Sequence, residues 1–247
     1  MFSFLRKKEK KNYLADLKVD IHSHLIPGID DGAKDLEDSI ELIKKLKELG
    51  YSKLITTPHI MSDSYPNSKD TILQGLDILK KELKKEAIDI EIEAAAEHYL
   101  DENFLNILEK QEVLPIAKEY LLFETSYISK PINLEDLIYE IKINGYKPIL
   151  AHPERYRYIK NLDLEYSRLK ELGVYLQVNI NSLNGYYGKD AHKKSQFLLE
   201  RGYIDFLGTD THHTKHLNNL EIVARNCSIW KNLLEKNKIL NLSLLNS

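Results

Sequence analysis

Two histidines two residues apart, His22 and His24, close a short apolar-rich run, Leu17-Lys-Val-Asp-Ile21. Residues i and i+2 on a β-strand point to the same face, so both imidazoles can reach one point. Imidazole is the commonest metal-binding side chain. Similar residues recur at the ends of later strand-like runs: His59, Glu97, Glu124, His152, and Asp210 with His212. Asp31, in Gly28-Ile-Asp-Asp-Gly32, joins the set. Five imidazoles and four carboxylates without a thiolate suit Mn, Fe or Zn. They argue against a closed structural zinc site, which favours cysteine. Nine side chains are too many for one ion and suit two or three, with positions left for water or substrate.

Taken singly, each candidate also has an ordinary structural reading. Asp31 sits where a turn or a helix cap is natural, and Glu97 and Glu124 could be ion-pair partners. Asp210-Thr-His212 repeats the same-face spacing of His22-Ser-His24, and the shared strand-end placement favours the metal reading. Among the other histidines, His98 would face away from Glu97 on an extended strand. His213 and His216 are expected to line the pocket, and His192 heads a helix as an exposed or structural residue.

The elements that must position these groups alternate along the chain. Strands are expected over 17–21, 53–56, 88–95, 120–123, 148–150, 174–178 and 204–207. Helices are expected over 35–49, 70–86, 134–143, 163–172 and 191–201, with a short one near 103–109 and two more over 217–233 and 235–245. Strands alternating with helices imply a parallel α/β architecture. An open sheet gathers its ligand at one switch point, whereas a barrel carries site residues on many strand ends. Six of the seven expected strands end in His, Asp or Glu, which favours an irregular seven-stranded barrel. With no internal repeat and no linker, residues 17–247 read as one domain.

The 247 residues suffice for a large core, and a formal charge of −3 gives no basic excess for binding nucleic acid. One cysteine, Cys227, cannot form an internal disulfide and suits a reducing, cytoplasmic setting. Cys227 is followed six positions later by Leu233, not by the arginine that a cysteine-dependent phosphatase requires, so it is expected to be a buried, inert thiol. No apolar run approaches the roughly 20 residues that span a bilayer. Residues 1–16 form a basic tail without the apolar core of a signal peptide. It is expected to be solvated, with a weak contact to an anionic membrane surface as the alternative.

Asp20-Ile-His-Ser-His24, Asp30-Asp31-Gly32, Thr57-Pro58-His59, Glu97, Glu124, Ala151-His-Pro-Glu-Arg-Tyr156 and Asp210-Thr-His212 resemble the PHP (polymerase and histidinol phosphatase) superfamily. The nearest likeness is to its bacterial protein-tyrosine phosphatases, the capsule- and exopolysaccharide-associated group. It runs from about residue 17 to the end of the chain. The resemblance implies a distorted (β/α)7 TIM-like barrel, the PHP fold, holding three divalent ions, manganese foremost, with iron or zinc as alternatives. By the same resemblance His22, His24, Glu97 and Asp210 would hold one ion. Glu97, Glu124 and His152 would hold a second, and Asp31, His59 and His212 a third. Some relatives carry an arginine after the final Asp-x-His, where this chain offers His213, Lys215 and His216.

The expected reaction is hydrolysis of phosphotyrosine in a protein by a metal-bridging hydroxide. Asp210 would hold or deprotonate that nucleophile, and Arg155 would grip the phosphate with its planar fork. Arg155 has an alternative reading as a surface ion pair with Glu154. By analogy, the substrate would be a bacterial tyrosine kinase controlling polysaccharide synthesis and export. Two other readings stand beside it: a small-molecule enzyme such as histidinol-phosphate phosphatase, and an inactive metal-binding interaction module.

Overall fold

The computed structural model describes residues 11–246. Nine short strands lie among them: β1 (Val19–Asp20), β2 (Lys53–Thr56), β3 (His59–Ile60), β4 (Glu91–Ala94), β5 (Glu97–Tyr99), β6 (Tyr120–Glu124), β7 (Lys147–Ala151), β8 (Tyr175–Asn179) and β9 (Phe206–Gly208). They form two parallel sheets, ordered β1-β2-β4 and β3-β5-β6-β7-β8-β9. The helices between and beyond them are α1 (Leu14–Leu17), α2 (Leu36–Glu48), α3 (Lys69–Lys85), α4 (Phe104–Glu109), α5 (Leu134–Ile143), α6 (Leu162–Glu171), α7 (Lys189–Glu200), α8 (Thr214–Ala224) and α9 (Cys227–Lys236). The result is an α/β fold whose parallel sheet curls around an inner core.

The expected second strand forms as β2 and the expected third only over β4, and each is followed after a break by a further short strand, β3 or β5. Pro58 has no N–H to give to the ladder. Thr57 N still bonds Ser23 O at 2.7 Å, and pairing resumes only at His59. In the neighbouring strand Ala95 N bonds Thr56 O, but Ala96 N turns away to Leu114 O. Both breaks fall just before site residues and re-aim them inward.

Period-two alternation divides the core into two. Leu121 and Phe123 of β6, Leu150 of β7, Leu176 and Val178 of β8 and Leu207 of β9 pack outward under the helices. The intervening Tyr120, Leu122, Ile149, Ala151 and Phe206 join Val19, Ile21 and Ile55 in a smaller inner core. Inward positions change character along each strand: β8 runs Tyr175, Gln177, Asn179. Aromatic rings of Tyr120, Tyr175 and Phe206 meet near the strand N-termini. Polar groups occupy the C-terminal end, as parallel barrels arrange their sites.

The first and last strand paths are tied together. Asp210 N donates to His22 O at 2.8 Å, and His24 N donates to Thr211 O at 3.0 Å. Buried Asp20 accepts from Thr209 N at 2.9 Å and from the Thr209 hydroxyl at 2.8 Å. Gly208 permits this closeness, because a Cβ there would lie 2.6 Å from His22 Cβ and 2.5 Å from Gln177 Nε2.

Several helices start where side chains can cap them. Asp35 accepts from Asp38 N ahead of α2, and Ser68 with Thr71 forms a capping box ahead of α3. The C-terminal helices differ from expectation. Asn226 accepts from Ile229 N and starts α9 afresh, so no helix runs unbroken over 217–233. Asn237 then accepts from Ile204 N and donates to Leu199 O. It ties the end of α9 to the chain before β9, and only a 3-10 turn, Asn241–Leu244, follows. Cys227 is exposed rather than buried, because it opens α9 on its outer side, and the Tyr13 hydroxyl lies 3.1 Å from its sulfur.

Most of the expected basic tail and its membrane contact fall on residues 1–10, outside the described residues. The chain is already packed by α1, where Leu14 is buried and Tyr13 stacks on Trp230 at 6.1 Å. The first strand therefore begins at Val19, not at residue 17. No helix among the described residues is long and apolar enough to cross a membrane.

Asn241 is the buried polar clasp of the inner core. It accepts from Leu207 N and donates to Leu207 O and Val19 O. Asn241→Ala leaves these buried backbone groups unpaired and should cost about 2–4 kcal/mol in urea unfolding. A loss below about 0.5 kcal/mol would contradict this role.

Candidate metal centre

All nine side chains singled out from the sequence converge at the C-terminal ends of the strands. They form overlapping groups: His24, Asp31, His59 and His212; His22, Glu97 and His152; His22, His24 and Asp210; and His59, Glu97 and Glu124. Within each group the ligand atoms lie within 4.8 Å of one another. Glu97 is central. Its Oε2 lies 3.2 Å from His22 Nε2, 3.2 Å from His59 Nδ1 and 3.5 Å from His24 Nε2, and its Oε1 lies 2.9 Å from His152 Nε2. Asp210 Oδ1 faces His22, His24 and His212 at 3.4–3.7 Å. Asp31 Oδ1 lies 3.4 Å from both His59 Nε2 and His212 Nε2.

His59 stands between two groups. Its Nδ1 also lies 3.1 Å from Glu124 Oε1, while its Nε2 turns to Asp31. The resemblance placed it with Asp31 and His212 alone.

The imidazoles are held from behind. His22 Nδ1 bonds Gln177 Oε1 at 2.7 Å, His24 Nδ1 bonds Asp30 Oδ2 at 2.8 Å, and His212 Nδ1 bonds Asp210 O at 3.0 Å. Each bond leaves Nε2 directed at the shared space, the arrangement that metal-binding histidines need. Gly32 lets the Asp30–Asp31 loop press on His24, since a Cβ would lie 2.3 Å from His24 O. His152 and Asp210 adopt left-handed backbone, with φ of 34° and 50°. Non-glycine residues in this region store strain and mark sites that the surroundings over-determine.

The electrostatics fit divalent cations. Burial opposes charge on His22, but Glu97 and Asp210 outweigh it and push its pKa up to about 10. His59 and His212 are raised by the same contest between burial and carboxylates. Burial would raise Glu97, Asp31 and Asp210, yet the surrounding imidazoles hold all three well below the usual carboxylate range. His59 Nδ1 is buried without a hydrogen bond despite two carboxylate oxygens close by. Lone pairs that face a common point without pairing suit a cation placed among them.

Arg155 faces this centre and does not pair with Glu154. Its Nη1 donates to Asp210 Oδ2 at 3.0 Å, and the guanidinium lies between the Tyr127 and Tyr187 rings at 4.6 and 4.5 Å. Its side chain keeps 26% exposure in a cleft of about 520 Å³. Glu154, next in sequence, turns the other way and accepts from Asn179 N and the Ser182 hydroxyl. His213 and His216 line the cleft as expected. His98 is buried behind Glu97, bonding Leu122 O and accepting from Leu114 N. His192 bonds Ser182 O, a structural role.

Tyr187, read from the sequence as packing or rimming the pocket, does line the cleft. Sequence reasoning missed the roles of Asp30, Gln177, Asn179 and Tyr127. Asn179 Nδ2 donates to Asp210 Oδ2 at 2.6 Å, and the Tyr187 hydroxyl lies 3.5 Å from the same oxygen. A signal existed for two of them: Gln177 and Asn179 are polar residues two apart in an otherwise apolar strand.

Cations entering this centre must displace protons from the raised imidazoles. Metal binding should therefore release protons, and affinity should rise with pH across the neutral range. Calorimetry in buffers of different ionisation enthalpy measures this, and binding without proton release would contradict the geometry. Gln177→Leu frees His22 Nδ1 and should weaken metal binding about 10- to 100-fold.

The family model for capsular polysaccharide synthesis, CpsB/CapC, matches residues 18–227. The chain is 33% identical over 201 residues to the tyrosine-protein phosphatase YwqE of Bacillus subtilis, covering 81% of this chain and 79% of that one. It is 26% identical over 201 residues to the tyrosine-protein phosphatase CpsB of Streptococcus agalactiae, covering 79% and 83%. Among solved structures, crystal structures of YwqE from Bacillus subtilis and CpsB from Streptococcus pneumoniae, described as unique metal-dependent tyrosine phosphatases, include a match with a TM-score of 0.77. That match has 30% identity and covers 90% of this chain and 96% of that one. Histidinol phosphate phosphatase from Lactococcus lactis, with zinc, L-histidinol and phosphate, matches with a TM-score of 0.52 at 14% identity over 87% and 94%, a likeness of fold alone. The chain belongs to the capsular polysaccharide synthesis family CpsB/CapC.

Proposed function

We propose that this chain is a metal-dependent protein-tyrosine phosphatase that removes phosphate from a phosphotyrosine protein, a bacterial tyrosine kinase controlling polysaccharide synthesis or export. In this reading residues 17–247 are a single catalytic domain whose strand paths make a distorted seven-stranded PHP-type barrel. The nine convergent side chains hold three divalent ions, manganese foremost. The lone cysteine suits a reducing compartment such as the cytoplasm. The observation that carries the reading is the placement of Arg155, stacked between two tyrosines at the edge of the nine-residue cluster.

When bound, the cations supply the charge that binds a phosphate dianion and acidifies a water towards neutrality. The protein's own groups do the rest. Arg155 presents its remaining donors to phosphoryl oxygens, in a fork geometry that lysine lacks. Asp210 keeps Arg155 in place: Oδ2 takes the donors from Arg155 and Asn179, while Oδ1 faces the imidazoles. Because both oxygens are engaged and the group is held ionised, Asp210 acts as anchor and ligand more than as a free base. Tyr127 and Tyr187 stay neutral, because burial pushes both hydroxyls up. They offer aromatic faces to the substrate ring. A phenolate with an ordinary pKa of about 10 leaves without a dedicated acid.

Asp210→Ala and His152→Ala should each lower kcat/KM on a phosphotyrosine peptide by more than about a hundredfold, with the circular-dichroism spectrum unchanged. Retained activity in both would remove the metal-centre mechanism. Arg155→Lys should cost about tenfold or more, chiefly in KM. Histidinol phosphate should be the poorer substrate, and the reverse preference would reassign the enzyme to small molecules.

A further inference from the structure

The loop that follows β6, residues 126–133, carries the two most exposed large apolar side chains among the described residues. Ile132 is fully exposed at 106% and Ile128 is exposed at 74%. Burying an isoleucine is favourable, so an exposed isoleucine at the rim of a substrate cleft is available to whatever flanks the group that enters it. Ile128 lines the same cleft as Arg155 and the carboxylate–imidazole cluster.

Hydrogen bonds shape the loop around this isoleucine. The Ser126 hydroxyl accepts from Ile128 N at 3.2 Å and from Ser129 N at 3.4 Å. Arg157 N donates to Tyr127 O at 2.7 Å. Tyr127 stacks on Arg155 at 4.6 Å, so Ile128 is the next residue along from a ring that touches the group that grips phosphate. Lys130 is the loop's one charged residue. An acidic flank would meet a single cation here, whereas an apolar flank meets two isoleucines.

Resting on the phosphotyrosine reading above, we propose that this loop selects the substrate. Ile128, with Ile132 beyond it, receives an apolar or aromatic side chain next to the phosphotyrosine of an extended peptide. The preferred substrate class is then phosphotyrosine flanked by leucine, isoleucine or tyrosine, not by acidic or small polar residues. Ile128 and Ile132 act as specificity determinants outside the reacting centre.

The test is a preference. The metal-loaded full-length protein is assayed on two phosphotyrosine peptides, one flanked by leucines and one by serines, with 4-nitrophenyl phosphate alongside. Wild type should favour the leucine peptide about tenfold in kcat/KM, carried by KM. In Ile128→Asp combined with Ile132→Asp the ratio should fall to about one. Equal rates on both peptides in wild type, or a ratio that survives the double substitution, overturns this inference and leaves the phosphatase reading intact. Hydrolysis of 4-nitrophenyl phosphate but of neither peptide overturns both. Co-sedimentation with vesicles of anionic lipid that depends on the isoleucines, while the peptide ratio stays unchanged, assigns the loop to a membrane surface and overturns the proposal.

Discussion

The constraint on which this structure depends is the burial of carboxylates among imidazoles in one small space. Glu97, Glu124 and Asp210 are almost completely buried, together with His22, His24 and His152. Charge taken out of water is costly unless it is compensated at close range. Around Glu97 the compensation comes from four imidazoles on three other strand paths, so no single strand can move without exposing the imbalance. Placing cations among these groups, in place of protons on the imidazoles, is the chemistry to which the arrangement lends itself.

The rest of the fold can be understood as support for that cluster. Two separate cores, one inside the curl of strands and one beneath the helices, fix the strand ends from both faces. Polar side chains on the inner face of β8, together with Asp30, orient the imidazoles and Asp210. The left-handed backbone at His152 and Asp210 shows where this support is spent against local preference. Outside the cluster, Tyr127 and Tyr187 clasp Arg155 and turn a carboxylate-rich pit into a cleft that can receive an aryl phosphate.

Much of this was legible in the sequence, for a definite reason. Strand ends followed by His, Asp or Glu announce themselves, because spacing by two puts such residues on the inner face. Amphipathic helices such as Leu36–Glu48 and Leu134–Ile143 lie within a residue or two of where periodicity puts them. What could not be read depends on partners far away in the chain. The break at Ala96 answers to Leu114, and the break before α9 answers to a single side-chain cap. Glu154 and Arg155 are equally polar neighbours, yet one is buried against Ser182 and the other enters the cleft. Gln177 and Asn179 stand out as polar residues two apart in an apolar strand, but their partners His22 and Asp210 are visible only in the fold.

The most direct measurement is a crystal structure of the protein grown with manganese, with diffraction recorded on both sides of the manganese absorption edge. The account predicts anomalous peaks among His22, His24, Asp31, His59, Glu97, Glu124, His152, Asp210 and His212, with Arg155 beside them. Side chains pointing apart, with no peak among them, would contradict it.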